Sequence, residues 1–291
     1  RFDKEKFFPI DHNIVNLFKI RASYGELGNE NIGNYAYMAT YRAGFMSYSF
    51  GNNVVYGTSI EDFVNANLAW EKKKTTNIGI DLAMFNNRLE FTAEWYKNKS
   101  TDLLYNVPVP ANAGARNETV TMNAAEMENS GFEFSATYRN NDHPLKWQVS
   151  ANLSTLKNEV KSLGFGNKSY ITGDYATFVG EEVGQFYGYE HAGVSDEGLL
   201  LIYDNDGNAV PVSQADPSFK RNIGNGAPRH FLSWNNSFRW KNWDLSMLFR
   251  SALGFKIFNM RKYGMGLRGA GTDNVLRTAY TDYADVKSGG S

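Results

Sequence analysis

Asp204-Asn205-Asp206-Gly207 sets two carboxylates two residues apart at a glycine turn, the arrangement with which a calcium loop presents hard oxygen ligands. The rest of that pattern is missing. Ile202 stands at the first-ligand position and Ser213 where a bidentate Glu belongs, so an Asp/Asn/Gly turn is the expectation and calcium at Asp204 and Asp206 the weaker alternative. His12, His143, His191 and His230 are scattered, with no i, i+4 pair and no HExxH, which gives zinc or imidazole chemistry no frame. Carboxylates such as Glu90, Glu94 and Glu133 could form a glycosidase pair, yet each lies on the polar side of an alternating segment, where lining a wet surface is the simpler role. Neither catalysis nor a resident cofactor is expected.

The elements that position these residues read as strands. In TTNIGIDLAMFNNRLEFTAEWYKN (75–98), Thr76, Ile78, Ile80, Leu82 and Met84 fall on one side of an extended chain and Asn77, Gly79, Asp81 and Ala83 on the other. After Asn86-Asn87, a pair suited to the positive φ of a tight turn, Leu89, Phe91, Ala93 and Trp95 alternate with Glu90, Thr92, Glu94 and Tyr96. The same hairpin recurs. Phe132, Phe134, Ala136 and Tyr138 turn through 140–144 into Leu145, Trp147, Val149, Ala151 and Leu153, backed by Lys146, Gln148, Ser150 and Asn152. Leu232, Trp234, Phe238 and Trp240 then turn through Lys241-Asn242 into Trp243, Leu245, Met247 and Phe249. A further strand, Phe18, Ile20, Ala22 and Tyr24 against Lys19, Arg21 and Ser23, stands alone near the start.

Alternation over roughly ten residues exceeds the usual strand of about 5–6 and matches a transmembrane strand of about 9–11. The connections between hairpins are long, spanning 27–74, 99–129 and 157–228, so short turns and long loops alternate as they do in an outer-membrane barrel. Trp95, Tyr96, Trp240 and Trp243 are placed near strand ends, as in aromatic girdles. The membrane reading puts Ile78, Ile80, Leu82, Leu89, Phe91, Phe132, Phe134, Trp147 and Val149 against lipid. It puts Asn77, Asp81, Glu90, Glu94, Glu133, Lys146 and Gln148 toward a lumen. The rival is a soluble or surface-attached β-sheet carbohydrate-binding module whose apolar face packs on a second sheet.

The totals agree with an all-β chain: 17 Tyr, 20 Phe and 27 Gly in 291 residues. With 30 Lys+Arg against 31 Asp+Glu, no nucleic-acid partner is expected. Cysteine is absent, so there is no disulfide framework or thiolate metal site. No apolar run reaches the roughly 20 residues of a membrane-spanning helix, which leaves a closed barrel as the one way across a bilayer. A mean hydropathy of −0.47 is compatible with that, because a barrel around a wet lumen needs only half of its strand residues apolar. The chain begins at Arg1 and reads as a mature or internal piece, with neighbouring strands expected on both sides.

Five stretches, KIRASYGELGNENIGNY (19–35), NLAWEKKKTTNIGIDLAMFNNRLEFTAEWYKNKSTDLLYNVPVP (67–110), AEMENSGFEFSATYRN (125–140), WQVSANLSTLKNEVKSLG (147–164) and FRWKNWDLSMLFRSALGFKIFN (238–259), resemble the SusC/RagA family of TonB-dependent outer-membrane transporters. The resemblance implies a Gram-negative outer-membrane protein with a 22-stranded antiparallel barrel, long extracellular loops and short periplasmic turns. Residues 1–291 would be a middle-to-late part of the barrel, without its plug domain, TonB box and final strands. It further implies import of glycan oligosaccharides or peptides with a SusD-like surface lipoprotein, energy coupling to the TonB complex through the plug, and contact with outer-membrane lipids. Substrate contacts would then fall to aromatic residues of the long loops, Tyr48, Phe50, Tyr56, Tyr170, Tyr175 and Phe178.

Overall fold

The structure is a computed structural model that describes residues 1–5, 11, 14–30, 37–61, 63–109, 112, 119–164, 166, 168–266 and 274–277. His12 lies outside the described residues. The chain divides into two compact units, one of 1–170, 178–182 and 229–252, the other of 171–177, 183–228 and 253–291.

The first unit is built on an antiparallel sheet. Its strands are β1 (Val15–Asn29), β4 (Glu71–Met84), β5 (Leu89–Pro108), β6 (Thr119–Asn140), β7 (Leu145–Thr155), β16 (His230–Trp240) and β17 (Trp243–Leu253), in that spatial order. These are the strands expected from the alternation. An added strand, β8 (Lys157–Ser162), pairs with β6 directly beyond the end of β7. β2 (Tyr41–Phe50) and β3 (Asn53–Ile60) form a separate hairpin inside the first long connection. The strand that stood alone in sequence, β1, pairs with β4 across that connection.

Register keeps the two faces distinct across the sheet. Phe18, Leu82, Phe91, Ala136, Ala151 and Trp234 are successive cross-strand partners, as are Lys19, Asp81, Thr92, Ser135, Asn152 and Ser233. A slip of one residue anywhere would mix the two sets. The tight turns hold it: Phe85, Asn86 and Asn87 all take positive φ between β4 and β5, and Lys241 does so between β16 and β17.

Two expectations need correction. Residues 99–129 are not chiefly a loop: β5 runs for 20 residues and β6 for 22, paired up to Pro108 and Thr119. Backbone pairing does not depend on the polarity of side chains, so the strands continue where the alternation that revealed them stops. Trp95 and Tyr96 consequently sit within β5 rather than near its end, whereas Trp240 and Trp243 do flank a turn.

The second unit contains β11 (Gln185–Gly188), β15 (Arg221–Asn225), half of β9 (Ser169–Thr172) and most of β10 (Tyr175–Phe178), which order as β15-β11-β10-β9. It also holds a meander of β12 (His191–Val194), β13 (Leu200–Tyr203) and β14 (Ala209–Pro211), and a short helix α1 (Met260–Gly266).

Candidate functional site

The polar face of the main sheet is organised around one arginine. Arg21 on β1 stands opposite Gly79 on β4, and its guanidinium reaches Asp81 at 2.8 Å and Glu94, one strand farther, at 2.9 Å. Lys19 lies 4.0 Å from the same Asp81 carboxylate, which also accepts the Thr92 hydroxyl at 3.2 Å. Two cations and two carboxylates thus cross three strands as one network. Glu94 is directly opposite Glu133 on β6. A depression of about 740 Å³ gathers Thr92, Glu94, Glu133, Asn152, Ser233 and Arg250 among its lining residues.

Toward the tight turns a second group of charges follows. Glu90 pairs with Arg139 at 2.7 Å, and Arg239, the cross-strand partner of Lys146, pairs with Asp244 at 2.6 Å. Toward the opposite end, Asn77 stands opposite Tyr96, whose hydroxyl donates to the Thr155 carbonyl at 3.2 Å. That bond passes over Gly131, where a Cβ would lie 2.0 Å from the Thr155 oxygen. Asn77, Asp81, Glu90, Glu94, Glu133, Lys146 and Gln148 therefore share one face. Such a surface can bind and orient polar groups.

The other face carries Ile78, Ile80, Leu82, Leu89, Phe91, Phe132, Phe134, Trp147 and Val149 together. It is open: Ile78 is 48%, Trp234 50% and Phe249 56% exposed. Among the apolar residues near the turns sits a buried polar one. Asn236, opposite Val149, is 4% exposed and accepts the Trp147 indole N–H at 3.3 Å, while Trp147 stacks on Phe238 at 6.0 Å. The gap in alternation between Trp234 and Phe238 was the signal for it.

The six loop aromatics divide. Tyr48 and Phe50 touch, with ring centroids 4.9 Å apart, on one face of the β2–β3 hairpin, and Tyr56 occupies the other face. Tyr170 packs edge-on against Tyr105 at 5.3 Å, and burial, then Tyr170, pushes the Tyr105 hydroxyl up to about 12. Tyr175 packs on Phe186 within the second unit. Phe178 closes a turn through its carbonyl, which accepts the Glu181 N–H.

Asp204 behaves as the centre of a turn. One of its oxygens accepts the N–H groups of Asp206 and Asn208 at 2.9 and 2.8 Å, and the other accepts the Asn208 amide at 3.0 Å. These donors, the Asn208 side chain foremost, hold the carboxyl below the usual Asp range. These bonds are those of an Asx turn. Among the described residues no three His, Asp or Glu side chains are grouped as metal ligands.

Residues 10–286 match the family model described as TonB dependent receptor-like, beta-barrel. The chain is 33% identical over 300 residues to TonB-dependent receptor P3 of Formosa agariphila, covering 94% of this chain and 29% of that one. It is 28% identical to TonB-dependent receptor SusC of Bacteroides thetaiotaomicron, covering 88% and 27%. Among solved structures it resembles the RagAB peptide importer in an open-open state, with a TM-score of 0.78, 26% identity and coverage of 93% and 29%. The chain spans under a third of these relatives' length. Matched by the family model over 10–286 and folded as a two-faced antiparallel sheet, the chain belongs to the TonB-dependent receptor β-barrel family.

Proposed function

We propose that residues 1–291 form part of the barrel wall of an outer-membrane, TonB-dependent importer that takes up glycan oligosaccharides or peptides. In this reading a SusD-like surface lipoprotein holds the substrate outside, and a plug elsewhere in the protein couples to the TonB complex. The wall belongs to a 22-stranded barrel, and it performs no catalysis. The observation that carries the proposal is the sheet's register, which keeps an exposed apolar face and an ionic face apart over six strands. Apolar side chains left in the open are costly in water and costless against acyl chains. The apolar set, Ile78 to Val149, then faces lipid, and the Arg21 network lines the lumen. The solved RagAB neighbour is described as a peptide importer, which favours peptide between the two substrate classes.

The test places one charge on each face of the full-length protein. Phe134 and Ser135 are adjacent on β6 and point to opposite sides. Phe134→Arg, between the interface and the bilayer midplane, is expected to cost about 1–2 kcal/mol and to lower membrane assembly, while Ser135→Arg assembles normally. Equal recovery of both variants in the membrane fraction, or recovery of the wild type without detergent, would overturn the reading.

A further inference from the structure

On the apolar face, one row decides where the polarity changes. Ala22, Ile78, Trp95 and Phe132 are cross-strand partners, and the next row toward the long connections is Tyr24, Thr76, Lys97, Ser130 and Lys157. The row after it is Glu26, Lys74, Lys99, Glu128 and Glu159. Aromatic side chains followed at once by lysines mark the level at which a bilayer passes from acyl chains to headgroups.

The lysines are held upright by carboxylates, Lys97 by Glu128 at 3.0 Å and Lys99 by Glu126 at 2.9 Å. Glu159 serves Lys157, at 3.2 Å, and Lys161 together, and Glu128 stands directly opposite it. The Lys157 side chain remains 74% exposed, with its ammonium donors free to turn toward a further acceptor.

A depression of about 340 Å³ lies on the turn side of this belt, walled by Phe91, Phe134, Leu232 and Trp234 with Ala136 and Ala151 between them. Ala136 is six residues from Ser130, about 20 Å along β6. A fatty-acyl chain spans that distance.

We infer that the outward face carries a site for one phosphorylated, acylated lipid of the outer leaflet, its phosphate at Lys97 and Lys157 and an acyl chain in the Phe91–Trp234 depression. The inference rests on the importer reading. A bare phosphate in solution is the poorer occupant, because every lysine of the belt already has a carboxylate and only the apolar depression adds a second hold. Lysine suits the headgroup as a compact, flexible point charge that can leave Glu128 or Glu159 for a phosphate oxygen.

The test uses the full-length transporter purified in detergent and diphosphoryl lipid A as the probe, with binding followed by native mass spectrometry. Lys97→Gln with Lys157→Gln is expected to weaken binding about tenfold or more. Ala136→Phe, which fills the depression, is expected to weaken it several-fold. Dephosphorylated lipid A should bind the wild type no better than it binds the double variant, and inorganic phosphate should not displace the probe. Unchanged affinity in both variants, or equal affinity for the dephosphorylated lipid, would sink the lipid site while leaving the importer reading untouched. A wild-type protein that never enters the membrane fraction would sink both.

Discussion

The guanidinium of Arg21 lies over the bare Cα of Gly79, and the ion pair with Glu94 exists because of that vacancy. A Cβ at position 79 would stand 2.9 Å from Arg21 Nη2 and 3.1 Å from Cζ. The glycine supplies room rather than an unusual backbone angle. Asp81 can be reached along β4, but Glu94 on β5 can be reached only across β4.

Gly79→Val should therefore displace Arg21 and separate it from Glu94. The expected loss is about 1–3 kcal/mol, the range of an overpacked contact, measured by urea unfolding of the full-length barrel in lipid. Combining it with Arg21→Ala should recover part of the loss, since the clash is then gone. If Gly79→Val costs as much without the arginine as with it, the glycine serves some other contact.

Gly131 makes a similar allowance for backbone. β7 ends at Thr155 and β8 resumes at Lys157 on the same partner, β6, so the chain steps over Gly131 between them. Gly131→Ala must push the Thr155 carbonyl away and release the Tyr96 hydroxyl. We expect a loss larger than that of Tyr96→Phe, which removes one hydrogen bond at about 0.5–1.5 kcal/mol. Amide exchange at Phe132, which donates to the Thr155 hydroxyl at 2.8 Å, should rise in the alanine variant and stay unchanged in the phenylalanine one.

The alternation in sequence was enough to place seven strands of the main sheet, because period two survives any choice of neighbours, but not β8, whose residues fell in an expected long connection. It could not show that Arg21 meets Asp81 and Glu94, since that depends on β1 lying beside β4 across a long connection. The extensions of β5 and β6 were hidden for a different reason. Lys97, Lys99, Glu126 and Glu128 are polar on the face that was apolar nearer the turns, so the pattern dissolves while the pairing continues. Loop aromatics were the least legible, because the contacts of Tyr170 with Tyr105 and Tyr175 with Phe186 have no period to read.

Tyr48 and Phe50 present a paired, 66% exposed aromatic surface, the form that stacks on a sugar ring or a peptide side chain. Alanine at both should weaken substrate binding to the intact transporter about five- to tenfold, in line with about 0.5–1.5 kcal/mol for an aromatic pair. Tyr56→Ala, on the opposite face of the hairpin, should do less. Equal affinities for all three proteins in calorimetry would remove this hairpin from the substrate path.

Asp204 offers a test that separates a turn from a metal site by pH. Its carboxyl is held below the ordinary Asp value by the Asn208 side chain first, then by the N–H groups of Asn208, Asp206 and Gly207. A group lowered in the folded state stabilises the fold above its unfolded pKa of about 3.9 and ceases to do so as pH falls through the lower folded value. Asp204→Ala should accordingly speed amide exchange at Asp206 and Asn208 at pH 7, and the gap between variant and wild type should start to narrow below about pH 4 and close as pH falls past the lower folded value. Arg221, which donates to the Tyr203 carbonyl at 3.2 Å and to the Asp204 carbonyl, holds the loop from behind and should keep the backbone in place at both pH values. Adding calcium should change neither exchange rate, because both Asp204 oxygens already accept hydrogen bonds from the loop. Slower exchange on calcium addition in the wild type, lost in the alanine variant, would restore the metal-binding alternative.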